Sequence, residues 1–168
     1  YEVARLGLGY VPEDRRIFTE LSVKENLMTG HQADRVWPDG SPGLNWTSEA
    51  IYELFPNLAE MQDRPAGAMS GGEQQMLTVG RTLMGNPYLL LLDEPSEGVA
   101  PVIVEQMVAM ILALKERGAS VLLSEQNIHF ARLVSDRAYV LEKGVIRFDG
   151  GMQELAESEE IRRSYLAL

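Results

Sequence analysis

Residues 88–92 form an unbroken apolar run that is followed by the polar turn DEP. A run of strand length that is apolar on both faces is typical of the centre of a parallel sheet, because helices cover both faces of such a sheet. From residue 88 to residue 124 the pattern alternates between strand, helix and strand. We therefore predict an α/β fold, in which a mostly helical stretch from about residue 20 to residue 86 is inserted between strands of one parallel sheet.

Periodicity and capping signals predict the other elements. We expect a short buried strand at 6–11 with no helix before it, and Ser22 with Glu25 three residues later predicts the capped start of a helix that ends near Gly30. The remaining predicted elements are a solvated loop at 33–46, helices at 51–58, 71–85, 101–118 and 127–135, a buried strand at 119–123, a hairpin of 138–141 with 145–148, and an acidic helical tail from residue 152.

The charge, the cysteine content and the apolar runs of the sequence limit the kinds of partner and site that we expect. The 15 Lys and Arg residues stand against 25 Asp and Glu residues, and the resulting net charge of −10 leaves no broad basic surface for nucleic acid. The absence of cysteine excludes disulfides, thiol catalysis and cysteine-based zinc sites. No apolar run approaches the roughly 18 residues that span a bilayer, so any contact with a membrane is expected to go through another subunit.

Two adjacent carboxylates, Asp93 and Glu94, follow the apolar run. The carboxyl ends of strands are where open α/β sheets bind ligands. There Asp93 can hold a hydrated Mg²⁺, and Glu94 can accept a proton from a water that attacks a phosphate. The alternative interpretation is a buried strand that merely ends in polar turn residues.

A serine and two glycines stand at the predicted start of the helix at 71–85. A helix N-terminus presents free N–H groups and a partial positive charge, and glycines let a phosphate approach the backbone. In the alternative interpretation Ser70 and Glu73 form only a capping box. A capping box alone does not call for both Gly71 and Gly72.

MSGGEQQ followed by LLLLDEP resembles the signature motif and the Walker B strand of ATP-binding-cassette ATPases. Together with GYVPEDRRIF, EPSEGVAP, LLSEQN and YVLEKG, these motifs cover essentially the whole chain. They are similar to the ATP-binding subunits of high-affinity branched-chain amino-acid importers, with the urea importers close behind. The resemblance implies a P-loop NTPase (RecA-like) core with an inserted helical subdomain.

The resemblance also implies a role for each matching residue. Asp93 would hold Mg²⁺ through water, Glu94 would be the catalytic base, and residues 96–100 would form a loop that crosses a dimer interface. Ser70, Gly71 and Gly72 would meet the γ-phosphate of ATP bound to the opposite subunit of a head-to-tail dimer, and Glu73 and Glu13 would also belong to the cofactor-binding residues.

Three positions depart from the general pattern of the family. Glu13 replaces the loop glutamine that usually touches the metal and its water, and Gln126 replaces the usual histidine after the next strand. A glutamine can donate a hydrogen bond to a phosphate oxygen but cannot become cationic. His129, one helical turn later, is an alternative for that role, although a lone histidine on a helix is usually structural. Ala100 replaces an aspartate, which puts a polar contact there in doubt.

The sequence contains no GxxxxGK[ST], the loop that holds the phosphates of a nucleotide. In the family this loop lies upstream, so we expect the chain to correspond to the C-terminal two-thirds of a cassette, without the N-terminal Walker A strand and helix. We expect such a chain to be unable to bind or hydrolyse ATP alone. We also expect its unpaired sheet edge at 119–123 to pair with another copy or to limit solubility.

The resemblance divides the chain into four parts. They are a core strand and loop at 1–18, a helical subdomain with the signature motif at 19–86, an α/β core with Walker B at 87–150, and a C-terminal helical tail at 151–168.

The implied function of the intact protein is that of the ATPase subunit of an importer for branched-chain amino acids, with ATP and Mg²⁺ as cofactors. Its implied location is cytoplasmic, peripheral on the inner face of the plasma membrane. Its implied partners are a second ATPase subunit, membrane permease subunits that the helical insert touches and to which the loop at 12–18 couples hydrolysis, and indirectly a periplasmic solute-binding protein. The alternatives are an ATPase for urea or for another amide or amino acid, a cassette ATPase not tied to transport, and a non-catalytic half-cassette module.

Overall fold

The structure, a computed structural model, describes residues 1–37 and 39–158. The chain divides into two compact units, Tyr1–Ser124 and Glu125–Leu168. The part of the predicted helical tail beyond residue 158 lies outside the described residues. None of the helices in the described part of the chain is both long enough and apolar enough to cross a membrane.

Three parallel strands form the sheet of the first unit, as far as the structure describes it. They are β1 (Leu8–Val11), β2 (Leu89–Asp93) and β3 (Ser120–Ser124), and β2 lies between the other two. Leu92 is in register with Val11 on one side and with Leu123 on the other. Leu90 and Leu92 are buried, so the prediction of a central strand here is confirmed. The carboxyl ends of the strands meet at one edge of the sheet.

The prediction that the strand at 119–123 is buried is wrong: one face of β3 is exposed, and Val121 and Leu123 on the other face are only partly buried. Leu122 keeps 56% of its accessible surface. The exposed residues of β3 are Ser120, Leu122 and Ser124. An apolar run forms a fully buried strand only where both faces are covered, and the described residues leave this face of β3 open.

A single helical turn, α1 (Glu2–Arg5), precedes β1, where the sequence predicts no helix. The Arg35 guanidinium donates to the main-chain oxygens of Arg5 and Ala4 at 3.1 and 3.2 Å. Carbonyls at the end of a helix need such partners, and an isolated turn of this length is not stable in water. Gly7 follows with a φ of +88°, so the strand begins two residues later than predicted.

The chain between β1 and β2 carries helices, as predicted, although they hold slightly less than half of its residues. Its helices are α2 (Val23–Gly30), α3 (Ser48–Leu54), α4 (Pro56–Glu60) and α5 (Gly71–Leu83), with a 3₁₀ turn at Ala66–Ala68 before the last of them. Ser22 and Glu25 form the predicted capping box at the start of α2. Hydrogen bonds from the backbone and hydroxyl of Ser22 lower the pKa of Glu25.

The prediction of one helix at 51–58 is wrong, because Pro56 divides it into α3 and α4. A proline ring pushes the preceding residue out of the helical region, and Phe55 has a φ of −130° and a ψ of 77°. Pro56 then takes the first position of α4, where a missing N–H costs nothing. Ile51 in α3 and Leu58 in α4 are both fully buried, so the predicted apolar residues face the core on both sides of the break.

Helix α5 packs closely against the helices that precede it. A Cβ atom built on Gly80 would lie 2.9 Å from Ile51 Cγ2 and 3.1 Å from Leu27 Cδ2, and both of those side chains are fully buried. The absence of a side chain at Gly80 therefore permits this approach. The residues predicted to face inward from this helix are all buried: Met76, Leu77, Val79, Leu83 and Met84.

The described residues of the loop at 33–46 are irregular as predicted, but the end of the loop is not a solvated insertion. Trp46 is 3% exposed, and its main-chain N–H donates to Asn86 Oδ1 at 2.6 Å. Asn86 Nδ2 lies 3.2 Å from the main-chain oxygens of both Gln32 and Ala33. One buried asparagine after α5 thus fixes both ends of the loop.

The remaining elements complete the two units. Helix α6 (Pro101–Glu116) joins β2 to β3, and the described part of the second unit contains α7 (Ile128–Val134), β4 (Arg137–Glu142), β5 (Val145–Gly151) and α8 (Met152–Glu157). Strands β4 and β5 pair as an antiparallel hairpin. Lys143 and Gly144 turn it with φ values of +50° and +78°, as a two-residue turn of type I′ requires. The predicted hairpin and the predicted helix at 127–135 are confirmed.

Candidate functional site

Two carboxylates lie at the carboxyl end of the central strand, as the sequence predicts. Asp93 is the last residue of β2 and is partly buried, and Glu94 follows it directly. The Tyr10 hydroxyl, on the neighbouring strand β1, donates to Asp93 Oδ2 at 2.9 Å. This hydrogen bond to a carboxylate stabilises the protonated phenol and raises the pKa of Tyr10.

Glu94 has a backbone conformation that residues with a side chain rarely adopt. Its φ is +42°, in the left-handed region. Its main-chain N–H donates to the oxygen of Ser124 at 2.9 Å, which continues the pairing of β2 with β3 one residue beyond β2. This hydrogen bond to β3 therefore fixes the backbone position of Glu94, directly after the end of β2.

The start of α5 carries the predicted capping box. The N–H of Ser70 donates to the Glu73 carboxylate at 2.6 Å, and Ser70 Oγ accepts from the N–H of Glu73 at 3.4 Å. The capping interpretation of these two residues is confirmed. It leaves the two glycines that follow Ser70 without an explanation.

Each of the two glycines lets another part of the chain approach α5. A Cβ atom on Gly71 would lie 2.5 Å from Arg15 Nη1, and one on Gly72 would lie 2.5 Å from Ile103 Cγ1 on α6. Real Cβ atoms essentially never have such short contacts. Packing against Ile103 thus accounts for Gly72, whereas the Arg15 guanidinium is the end of a flexible side chain and does not by itself require a glycine at position 71. The access of a phosphate to this helix start stays a prediction.

Arg15 connects three segments that the sequence marks as functional. Its guanidinium lies against Gly71 at the start of α5, and Nη2 donates to the main-chain oxygen of Glu97 at 3.4 Å in the loop after β2. Arg15 itself belongs to the loop after β1, with a φ of +60°. One side chain therefore bridges both loops and the helix start.

Helix α5 holds the loop at 12–18 through main-chain oxygens. The Thr78 hydroxyl donates to the oxygen of Arg15, and the Arg81 guanidinium donates to the oxygen of Arg16 at 2.5 Å. Burial lowers the pKa of Arg81. The path of the loop is thus fixed by groups of the helix that lie one turn apart.

Helix α2 holds the far end of the same loop. The fully buried Asn26 side chain accepts from the N–H of Phe18 at 3.0 Å and donates to its oxygen at 2.9 Å. The Arg81 guanidinium lies 5.0 Å from the centre of the Phe18 ring, as a cation–π pair. Glu13, in the first part of the loop, is exposed.

The residues predicted to replace the usual histidine lie in the second unit. Gln126 is exposed, and its N–H donates to Glu125 Oε1 at 3.0 Å. His129 is also exposed, in the first turn of α7. Ala100, in the first unit, is the N-cap of α6 and forms no side-chain cap. The roles of Gln126 and His129 toward a nucleotide stay predictions.

The donors at the carboxyl edge of the sheet fit a hydrated magnesium ion. Asp93 ends β2 and Glu13 lies two residues beyond the end of β1, and because these strands are parallel and in register both residues lie at this edge. Within residues 1–37 and 39–158 Asp93 Oδ1 accepts no hydrogen bond, and a free carboxylate oxygen suits Mg²⁺, which keeps several of its waters. The same residues contain no group of three or more His, Cys, Asp or Glu side chains placed to hold a metal.

Sequence reasoning missed Tyr10 and Arg15. A tyrosine hydroxyl in an otherwise apolar strand needs a hydrogen-bond partner, and this requirement could have identified Tyr10 from the sequence as a residue with a polar contact. No comparable signal existed for Arg15, because its contacts reach residues about 56 and 82 positions away, which only the fold brings together.

A parallel sheet with a helical insert, paired carboxylates at the end of its central strand and a capped glycine pair at a helix start define the class of ATP-binding cassettes, with a P-loop NTPase-like core. The solved ADP conformation of MJ1267, an ATP-binding cassette of an ABC transporter, has a TM-score of 0.70 and 28% identity, and the match covers 92% of this chain and 65% of that one. The family model described as ABC transporter matches residues 1–97. The chain belongs to the ABC transporter family.

Curated relatives match nearly the whole chain. The high-affinity branched-chain amino acid transport ATP-binding protein BraG of Pseudomonas aeruginosa is 44% identical over 98% of this chain and 68% of its own length. The probable branched-chain amino acid transport ATP-binding protein LivF of Archaeoglobus fulgidus is 34% identical, over 95% and 66%. The lipopolysaccharide export system ATP-binding protein LptB of Haemophilus influenzae is 34% identical, over 97% and 66%. The chain thus spans about two thirds of the length of these relatives.

Proposed function

We propose that the intact protein is the ATP-binding and ATP-hydrolysing subunit of an importer for branched-chain amino acids. The observation that carries this proposal is the 44% identity, over 98% of the chain, to a protein named for that transport. The position of Asp93 and Glu94 at the carboxyl end of the central strand supports the hydrolytic part of the proposal.

In this proposal each group at the site has a separate task. Asp93, together with Glu13 from the loop after β1, would hold a hydrated Mg²⁺, which neutralises charge on the phosphates when it is bound. Glu94 accepts the proton of the attacking water. The residues that receive the nucleotide of a second ATPase subunit are Ser70, Gly71, Gly72 and Glu73, and Gln126 donates a hydrogen bond to a phosphate oxygen.

We also propose that the loop at 12–18 and a neighbouring groove receive the permease. The groove has a volume of about 930 Å³, and Phe18, Thr29 and Arg81 are among its lining residues. Phe18 is 51% exposed although Asn26 holds its backbone rigidly, so an apolar ring is presented on a fixed support. Such a subunit would act in the cytoplasm at the inner face of the plasma membrane and would serve a periplasmic solute-binding protein indirectly.

A second candidate is a cassette for lipopolysaccharide export. It is favoured by the 34% identity to the Haemophilus influenzae relative over 97% of the chain. The two candidates share the hydrolytic site and differ in the permease and in the transported molecule. A transport assay separates them, whereas an ATPase assay does not.

The test uses protein expressed from its complete reading frame together with its permease subunits. We expect magnesium-dependent ATP hydrolysis and uptake of labelled leucine by a strain that lacks its own branched-chain importers. Glu94→Gln should lower the hydrolysis rate by at least about 100-fold, because it removes a general base. Glu116→Gln, an exposed carboxylate at the end of α6, is the matched control and should leave the rate unchanged.

Each part of the proposal can fail separately. Full hydrolysis by Glu94→Gln would remove Glu94 from the mechanism. Hydrolysis without leucine uptake, combined with restored growth of a strain depleted of its lipopolysaccharide export ATPase, would favour the second candidate.

A further inference from the structure

The tyrosine on the strand beside β2 reaches the proposed metal ligand. Tyr10 of β1 is in register with Leu91 of β2, and Asp93 lies two residues further along β2. Side chains two residues apart on a strand share a face of the sheet, so Tyr10 and Asp93 stand on the same side. Their side chains meet in the 2.9 Å hydrogen bond to Oδ2.

This hydrogen bond fixes one oxygen of the carboxylate. Rotation of a carboxylate about its last bond has broad minima, so a carboxylate without a donor adopts many orientations. Within residues 1–37 and 39–158, the Tyr10 hydroxyl is the group that hydrogen-bonds the Asp93 side chain. With Oδ2 engaged, Oδ1 is presented in one direction at the edge of the sheet.

The geometry points to Tyr10 as a positioning residue that orients the Asp93 carboxylate toward the hydrated magnesium ion of the nucleotide. This inference rests on the proposed role of Asp93. Magnesium demands near-ideal octahedral geometry, so the orientation of a ligand matters more for it than for larger cations. Partners that orient a metal ligand typically contribute 10- to 100-fold to metal affinity. We expect about 10-fold here, at the low end of that range, because Tyr10 is 56% exposed.

The test is a titration with Mn²⁺ in place of Mg²⁺, with bound and free Mn²⁺ distinguished by electron paramagnetic resonance. The protein is expressed from its complete reading frame and loaded with a non-hydrolysable ATP analogue. Tyr10→Phe removes only the hydroxyl and should raise the dissociation constant for Mn²⁺ about 10-fold. Binding of the analogue in the presence of EDTA should be unchanged. Tyr139→Phe, which alters a tyrosine of similar exposure in β4, should leave both values unchanged.

A double-mutant cycle tests whether Tyr10 affects Mn²⁺ affinity through Asp93. In an Asp93→Ala protein the change Tyr10→Phe should have no further effect on Mn²⁺ affinity, because the group that Tyr10 orients is absent. An equal loss in both backgrounds, or an affinity of Tyr10→Phe within about twofold of the wild type, would overturn the inference. If Asp93→Ala itself leaves Mn²⁺ affinity unchanged, the proposed role of Asp93 fails, and the inference fails with it.

Discussion

At the scale of single residues, Gly71 and Arg15 restrict one another. The guanidinium of Arg15 occupies the space where a side chain at position 71 would begin. We predict that Gly71→Ala changes the free energy of unfolding by less than about 0.5 kcal/mol, because the guanidinium is the end of a flexible side chain that can move aside, at the loss of its hydrogen bond to Glu97, while alanine favours the helix. The free energy of unfolding in urea measures this effect.

The same substitution in an Arg15→Ala protein should be stabilising, by up to about 1 kcal/mol, since the methyl group then meets open space and alanine is the better helix former. An equal change in the free energy of unfolding in the two backgrounds would show that the contact between Arg15 and Gly71 does not affect the residue at position 71.

Sequence reasoning identified the parts of the site that depend on short separations. Ser70 and Glu73 are three residues apart, and Asp93 and Glu94 are adjacent, so their local arrangement follows from the chain itself. The bond from Tyr10 to Asp93 spans 83 positions. It depends on which strands pair and in which register, and neither follows from the pattern of one strand.

At the scale of elements, the close approach of α5 to its neighbours depends on Gly80. A methyl group at this position would lie within about 3 Å of Ile51 and Leu27, which are fully buried and have no room to move. We predict that Gly80→Ala lowers the free energy of unfolding by about 1–3 kcal/mol, although alanine favours the helix. Chemical denaturation checks this value.

The matched control for this substitution is Gly151→Ala, which adds the same methyl group where no atom lies within 4 Å of it. Its stability should stay within about 0.5 kcal/mol of the wild type. A Gly80→Ala protein more stable than the wild type would contradict the packing described for α5.

The elements that were predicted correctly carry their own signals, and the others depend on distant groups. Helix α2 has its capping box, and the hairpin of β4 and β5 has its turn residues. The helical turn α1 depends on Arg35, about 30 positions away, so no pattern in the local sequence predicts this turn. The open face of β3 was missed for a related reason, since an apolar run does not specify what covers it. The break at Pro56 had a local signal that the apolar periodicity around it concealed.

At the scale of the whole molecule, the excess of acidic residues determines how the solubility of the chain depends on pH. The chain carries a net charge of −10 at pH 7, and its isoelectric point is about 4.7. We predict that the solubility of the 168-residue chain is lowest near that pH and rises steadily toward neutral pH, because self-repulsion grows with net charge. Precipitation by polyethylene glycol across a pH series measures this, and a minimum near pH 7 would contradict it.

The hydrogen bonds from α2 and α5 to the backbone of the loop at 12–18 have a consequence for the divergence of its sequence. Thr78, Arg81 and Asn26 hold the loop by its main-chain oxygens and amides, which every residue type other than proline provides. Loop residues whose side chains make no such contact, unlike Arg15 and Phe18, can therefore change between lineages while the path of the loop is kept. Much of the selection for the shape of the loop then falls on three helix residues outside it.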